Sequence, residues 1–116
     1  MKARIYHNPC CSKSRATMAF LRERDIELDI VEYLATPPKA AALEKLIAKL
    51  GVPARTLVRT GETAFKETRL DLDDATDREI LELIEREPSI LQRPIVEVDD
   101  GARIGRPPEV VLELFE

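Results

Sequence analysis

The sequence predicts an α/β fold with a four-stranded mixed sheet, ordered as strand, helix, strand, then helices, then strand, strand, helix. Three observations carry that prediction. Short apolar runs with period two lie near both ends of the chain, helical apolar spacing fills the middle, and an Asp-Gly pair separates the last two short runs. Residues 2–6 alternate polar and apolar side chains and run into His7-Asn8-Pro9, which reads as a strand entering a turn. Ser12-Lys13-Ser14-Arg15 opens a helix that Ala16, Met18, Ala19, Leu21 and Arg22 sustain until Asp25 breaks the pattern. Ile26, Leu28, Ile30, Val31, Tyr33 and Leu34 predict a second strand over 28–33, buried on at least one face.

Thr36-Pro37-Pro38 has the form of a helix start, with Thr36 as N-cap and Pro37 at the first helical position. Leu43, Leu46, Ile47 and Leu50 follow at helical spacing and Gly51 stops the helix. Residues 52–58 predict a further short helix, and residues 59–74 an irregular polar segment long enough to be a functional loop. Helical spacing returns over 77–87 through Ile80, Leu81, Leu83 and Ile84, and Pro88 closes it. Residues 94–98 and 102–105 read as a hairpin in which the Asp-Gly pair of Asp99-Asp100-Gly101 supplies a positive φ. Pro107-Pro108 starts a last helix through Val110, Val111, Leu112 and Leu114. A right-handed βαβ crossover joined to an antiparallel hairpin is the plan of a thioredoxin-like domain.

The composition bounds the function. At 116 residues, with 44% apolar and 34% charged side chains, the chain suits one domain (residues 1–116) rather than two. Its longest apolar run is four residues, 40–43, far below the roughly 20 needed to span a bilayer, so no membrane role is expected. No signal-peptide pattern follows Met1, and a cytoplasmic location is the expectation. Eighteen basic against 22 acidic residues give a net charge of −4 without a basic block, which disfavours nucleic-acid binding. The two cysteines, Cys10 and Cys11, are adjacent and cannot staple distant segments. With His7 they offer at most three candidate ligands, so no metal site is expected.

A reactive thiol fits better. Cys11 stands where a strand ends and a helix begins, and there the free N–H groups and the helix dipole favour an anion. Lowering a thiol pKa by two units from about 8.5 raises the thiolate present at neutral pH about 25-fold. Lys13 and Arg15 add positive charge, and the hydroxyls of Ser12 and Ser14 are candidate donors to the sulfur. Cys10 precedes the turn into the helix and is expected to point elsewhere, as a tolerated small residue. His7 either supports the thiolate or has a purely structural place.

Five blocks, in order, carry a more specific resemblance. They are Ile5-Tyr6-His7-Asn8-Pro9-Cys10-Cys11-Ser12-Lys13-Ser14-Arg15, Glu32-Tyr33-Leu34-Ala35-Thr36-Pro37-Pro38, Leu57-Val58-Arg59, Arg93-Pro94-Ile95-Val96, and Gly105-Arg106-Pro107-Pro108-Glu109-Val110-Val111-Leu112. Together they resemble the glutaredoxin-dependent arsenate reductase family almost end to end. The resemblance implies Cys11 as the catalytic nucleophile and Arg59, Arg93 and Arg106 as oxyanion-binding residues, with His7, Ser14 and Arg15 supporting the site. It also implies a cis Arg93–Pro94 bond. Arsenate or a related oxyanion, glutathione and glutaredoxin are the implied partners, the last two as electron donors, with no bound cofactor and a monomeric chain. Guanidinium groups suit this chemistry because they stay charged and grip two oxyanion oxygens at once, offsetting the repulsion between thiolate and anion.

Two other readings stay open. The same fold family includes transcription regulators that bind RNA polymerase and sense disulfide stress through Cys-x-x-Cys, but here Ser14 stands in place of the second thiol. A relative that keeps the thiol and arginines could instead act on another substrate, such as a glutathione mixed disulfide.

Overall fold

In the computed structural model, which describes residues 1–115, the chain divides into two compact units. The first comprises residues 1–36 and 93–115, and the second residues 37–92. The first contains strand β1 (Lys2–His7), helix α1 (Ser12–Glu23), strand β2 (Glu27–Glu32) and the hairpin β3 (Ile95–Val98) and β4 (Gly101–Ile104). Its four strands form one mixed sheet in the order β2-β1-β3-β4, a thioredoxin-like arrangement. β1 runs parallel to β2 with Lys2 opposite Glu27 and His7 opposite Glu32, and antiparallel to β3 with Ile5 opposite Val96. Period two on β1 sends Ala3 and Ile5 to one face, where they meet Met18 and Leu21 of α1, Ile26, Val96 and Val111. Each large aliphatic side chain so buried contributes roughly 1.5–3 kcal/mol.

Four details of this unit differ from the sequence expectation. β2 has no fully buried residue, and Ile30 is 40% exposed, because the strand forms one edge of the sheet and pairs only with β1. Gly101 does not take a positive φ. It begins β4, and a Cβ there would sit 3.3 Å from the Leu114 side chain. The last helix, Pro108–Phe115, is of the tighter 3-10 type. The Arg93–Pro94 bond is cis, as the resemblance implied, and Arg106–Pro107 is cis too, which the sequence did not suggest.

The second unit is helical, with α2 (Ala40–Leu50), a 3-10 turn (Ala54–Leu57), α3 (Thr63–Thr68), α4 (Asp77–Arg86) and a second 3-10 turn (Pro88–Ile90). Leu43, Leu46 and Ile47 of α2 and Ile80, Leu81, Leu83 and Ile84 of α4 are buried, as their spacing predicts. Gly51 ends α2 at φ 70, the left-handed conformation that glycine adopts without penalty. α4 begins with a capping box in which Thr76 and Glu79 satisfy each other's backbone N–H groups. α2 starts at Ala40, not beside Thr36. The Ala40 N–H donates to Glu85 Oε1 at 2.6 Å, so a carboxylate from α4 supplies the acceptor that the sequence assigned to Thr36. α3 interrupts the segment expected to be irregular; it buries no residue, so it left no apolar signal.

Candidate active site

Local sequence builds the turn that carries Cys11. The Asn8 carbonyl accepts the Cys11 N–H at 3.0 Å, and the Asn8 side-chain Oδ1 accepts the Cys10 N–H at 2.9 Å. Cys11 then caps α1 with extended backbone (φ −95, ψ 121), and its carbonyl accepts the first helical bond, from Arg15 N at 3.0 Å. The sulfur therefore faces amide groups that the helix leaves without internal partners. Burial pushes the Cys11 thiol up, but the Ser14 N–H, the Arg93 guanidinium and the Lys13 N–H outweigh it and hold the thiol below its ordinary value. Cys11 is half-buried and Cys10 exposed, and both are free thiols.

Behind the turn lies a buried polar cluster. Ser14 Oγ sits 2.6 Å from His7 Nδ1 and accepts the Asn8 N–H at 3.1 Å. The Ser14 hydroxyl thus serves the loop, and it is the Ser14 backbone N–H that serves the sulfur. Burial is the main cause holding His7 below the ordinary imidazole range, with Arg22 and Arg15 adding to it and Glu32 opposing. A neutral ring suits that enclosed place. Arg15 Nη1 donates to the Pro9 carbonyl at 2.8 Å, fastening the outer side of the turn to α1.

Arg93 and Arg106 come together through the backbone. Arg106 Nε donates to the Arg93 carbonyl at 2.8 Å, and Gly105 N donates to the Pro94 carbonyl at 2.8 Å. Glycine is required for this approach, since a Cβ on Gly105 would lie 2.8 Å from Pro94 Cγ and 2.9 Å from Thr17 Oγ1. His7, Cys11, Ser14, Arg15, Arg93 and Arg106 all belong to the first unit. Arg59 belongs to the second, where its N–H donates to the Ile90 carbonyl at 2.7 Å and its Nε faces Glu62 Oε1 at 3.5 Å. Among the described residues, no group of three His, Cys, Asp or Glu side chains is placed to hold a metal ion.

Two residues of this neighbourhood received no role from the sequence. Asn8 organises the turn with both its carbonyl and its side chain, a role that the Asn-Pro turn signal could have suggested. Tyr33 follows directly after β2 and is wholly buried, within the electrostatic reach of Arg93, Asn8 and Cys11. Its sequence context marked it only as an apolar strand position.

The sheet topology, with a cysteine at the start of α1 whose thiol is held below its ordinary value, defines a thioredoxin-like protein. The chain belongs to the ArsC family, whose model matches residues 6–114. It is 41% identical to an arsenate reductase of Rhizobium meliloti (strain 1021), over 99% of this chain and 82% of that protein. It is 43% identical to the uncharacterized Escherichia coli (strain K12) protein YfgD, over 97% of this chain and 96% of that one. Its fold superposes on the arsenate reductase structure from Vibrio cholerae with a TM-score of 0.93 at 39% identity, covering 97% of both chains. Among the described residues, no helix is long and apolar enough to cross a membrane.

Proposed function

We propose that the chain acts as one arsenate-reductase-like domain, reducing arsenate to arsenite in the cytoplasm with electrons from glutathione and glutaredoxin. The observation that carries this reading is a thiol held below its ordinary pKa by a helix N-terminus and a guanidinium. The N–H groups and the guanidinium favour the thiolate over the thiol, in a place that also attracts anions, which suits attack on an oxyanion. Family membership and the arsenate reductases among its relatives support arsenate as the substrate.

The Cys11 thiolate attacks arsenic, an arsenate oxygen leaves as water after protonation, and a sulfur–arsenic(V) bond forms. Arg93 and Arg106 neutralise and orient the arsenate oxygens. Glutathione displaces a second oxygen as water. A glutaredoxin thiolate then attacks the glutathione sulfur, and the electron pair of the broken sulfur–arsenic bond reduces arsenic(V) to arsenic(III). Water releases arsenite and returns Cys11 as a thiol. His7, Ser14 and Arg15 keep the turn in place throughout. Cys10, exposed and outside this sequence of steps, is dispensable.

Arsenite formation from arsenate with glutathione and glutaredoxin tests the reading. Cys11→Ser should abolish turnover while Cys10→Ser stays within about twofold of wild type, since only a thiolate at position 11 is a competent nucleophile. A wild-type protein that alkylates rapidly at Cys11 yet forms no arsenite would redirect the assignment to a thiol substrate such as a glutathione mixed disulfide.

A further inference from the structure

We propose that Tyr33 is a positioning residue of the Cys11 site, its phenolic oxygen receiving an Arg93 N–H and so keeping that guanidinium on the Cys11 sulfur. This deepens the reading of Cys11 as the reactive thiol and rests on it, but it does not depend on arsenate being the substrate. The placement follows from topology. β1 and β2 are parallel and end together, His7 opposite Glu32, so the residues that leave the two strands emerge at the same end of the sheet. On β1 those residues form the Asn8 to Cys11 turn, and on β2 the first of them is Tyr33.

The Tyr33 hydroxyl is shut off from solvent and lacks a hydrogen bond of good geometry. A polar oxygen enclosed in this way is unfavourable unless a neighbour engages it. The neighbours that act on it are the Arg93 guanidinium, the Asn8 side chain and Cys11. Burial, the largest influence on the phenol, pushes its pKa up, so it is neutral at physiological pH and keeps lone pairs for an N–H donor. Because the oxygen is enclosed, an oxyanion in solution does not reach it in this conformation. Its influence on chemistry therefore runs through Arg93, one of the groups that lowers the Cys11 thiol, together with the Ser14 and Lys13 N–H groups.

The test compares Tyr33→Phe with wild type, both carrying Cys10→Ser, by the pH dependence of iodoacetamide alkylation at Cys11. The ring stays and only the hydroxyl goes. The expected result is a midpoint higher by roughly half a pH unit, or about threefold slower alkylation on the rising limb of the profile. A purely structural hydroxyl would change the thermal midpoint alone and leave the alkylation profile where it is. Superimposable profiles overturn the proposal. A second readout needs no variant: in wild type, the Tyr33 ring and Arg93 Nε–H resonances should titrate with the alkylation midpoint. Resonances indifferent to the thiol overturn the proposal even where the variant does not fold. Arsenite turnover is read separately, so a failed substrate assignment leaves the outcome interpretable.

Discussion

All four polar side chains that the structure buries among its described residues, His7, Asn8, Ser14 and Thr17, lie in the first unit, around the turn and helix that carry Cys11. In the second unit every fully buried residue is apolar, from Ala40 and Leu43 through Leu57 and Ile84 to Leu91. A helical unit needs only spaced aliphatic side chains to bury its faces, and polar groups there stay outside or cap helix ends. Burying a serine, a histidine and an asparagine together is unfavourable unless each finds a partner, and here Ser14 pairs with His7 while the Asn8 side chain accepts the Cys10 N–H. Polar burial among the described residues therefore gathers around the candidate site, while the second unit buries apolar side chains alone.

Substitutions in the two units should accordingly separate stability from thiol chemistry. The largest stability loss is expected from Ile84→Ala in the fully buried face of α4, about 2–5 kcal/mol by denaturant unfolding. The Cys11 alkylation profile should not move with it, and a moving profile would break the division of labour. Ser14→Ala is expected to be milder, about 1–3 kcal/mol, because it strips the Asn8 N–H and the His7 ring of a buried partner. It should also alter alkylation at Cys11, since the turn that presents the sulfur loosens. Equal alkylation in Ser14→Ala and wild type would show the cluster to be structural alone.

The smallest effect concerns acid. Burial holds His7 below its ordinary pKa, so as pH falls below about 6.5 the unfolded chain takes up the proton first. The contribution of His7 is complete above that value and is lost as pH falls through the folded pKa. His7 is the only histidine, so the urea midpoint between pH 7.5 and 5 should decline less steeply in His7→Gln than in wild type. Parallel declines would contradict a buried neutral imidazole.

How far the sequence reached follows the range of each interaction. Helical spacing from Leu43 to Leu50 and over 77–87 and the strand pattern of residues 2–6 are local, and those elements fall within a residue of their expected ends, apart from the start of α2. The start of α2 was misread because its cap acceptor, Glu85, lies 45 residues from Ala40. α3 has no apolar face to announce it, and the exposure of β2 follows from strand order, which periodicity does not encode. At the candidate site, the placement of Cys11 at a strand-to-helix junction was legible, and the ordered blocks pointed to Arg59, Arg93 and Arg106. The engagement of the Ser14 hydroxyl by His7 and the approach of Tyr33 to Arg93 depend on how β1 and β2 end together, and a list of residues does not show that.

The central claim is that the first unit holds the Cys11 thiol below its ordinary pKa, with Arg93 among the causes. The pH profile of Cys11 alkylation, measured in the Cys10→Ser background with and without Arg93→Ala, tests it most directly. The expected midpoint lies below the ordinary thiol value of about 8.5 and rises when Arg93 is removed. A midpoint at or above that value, or one indifferent to Arg93, would contradict the account.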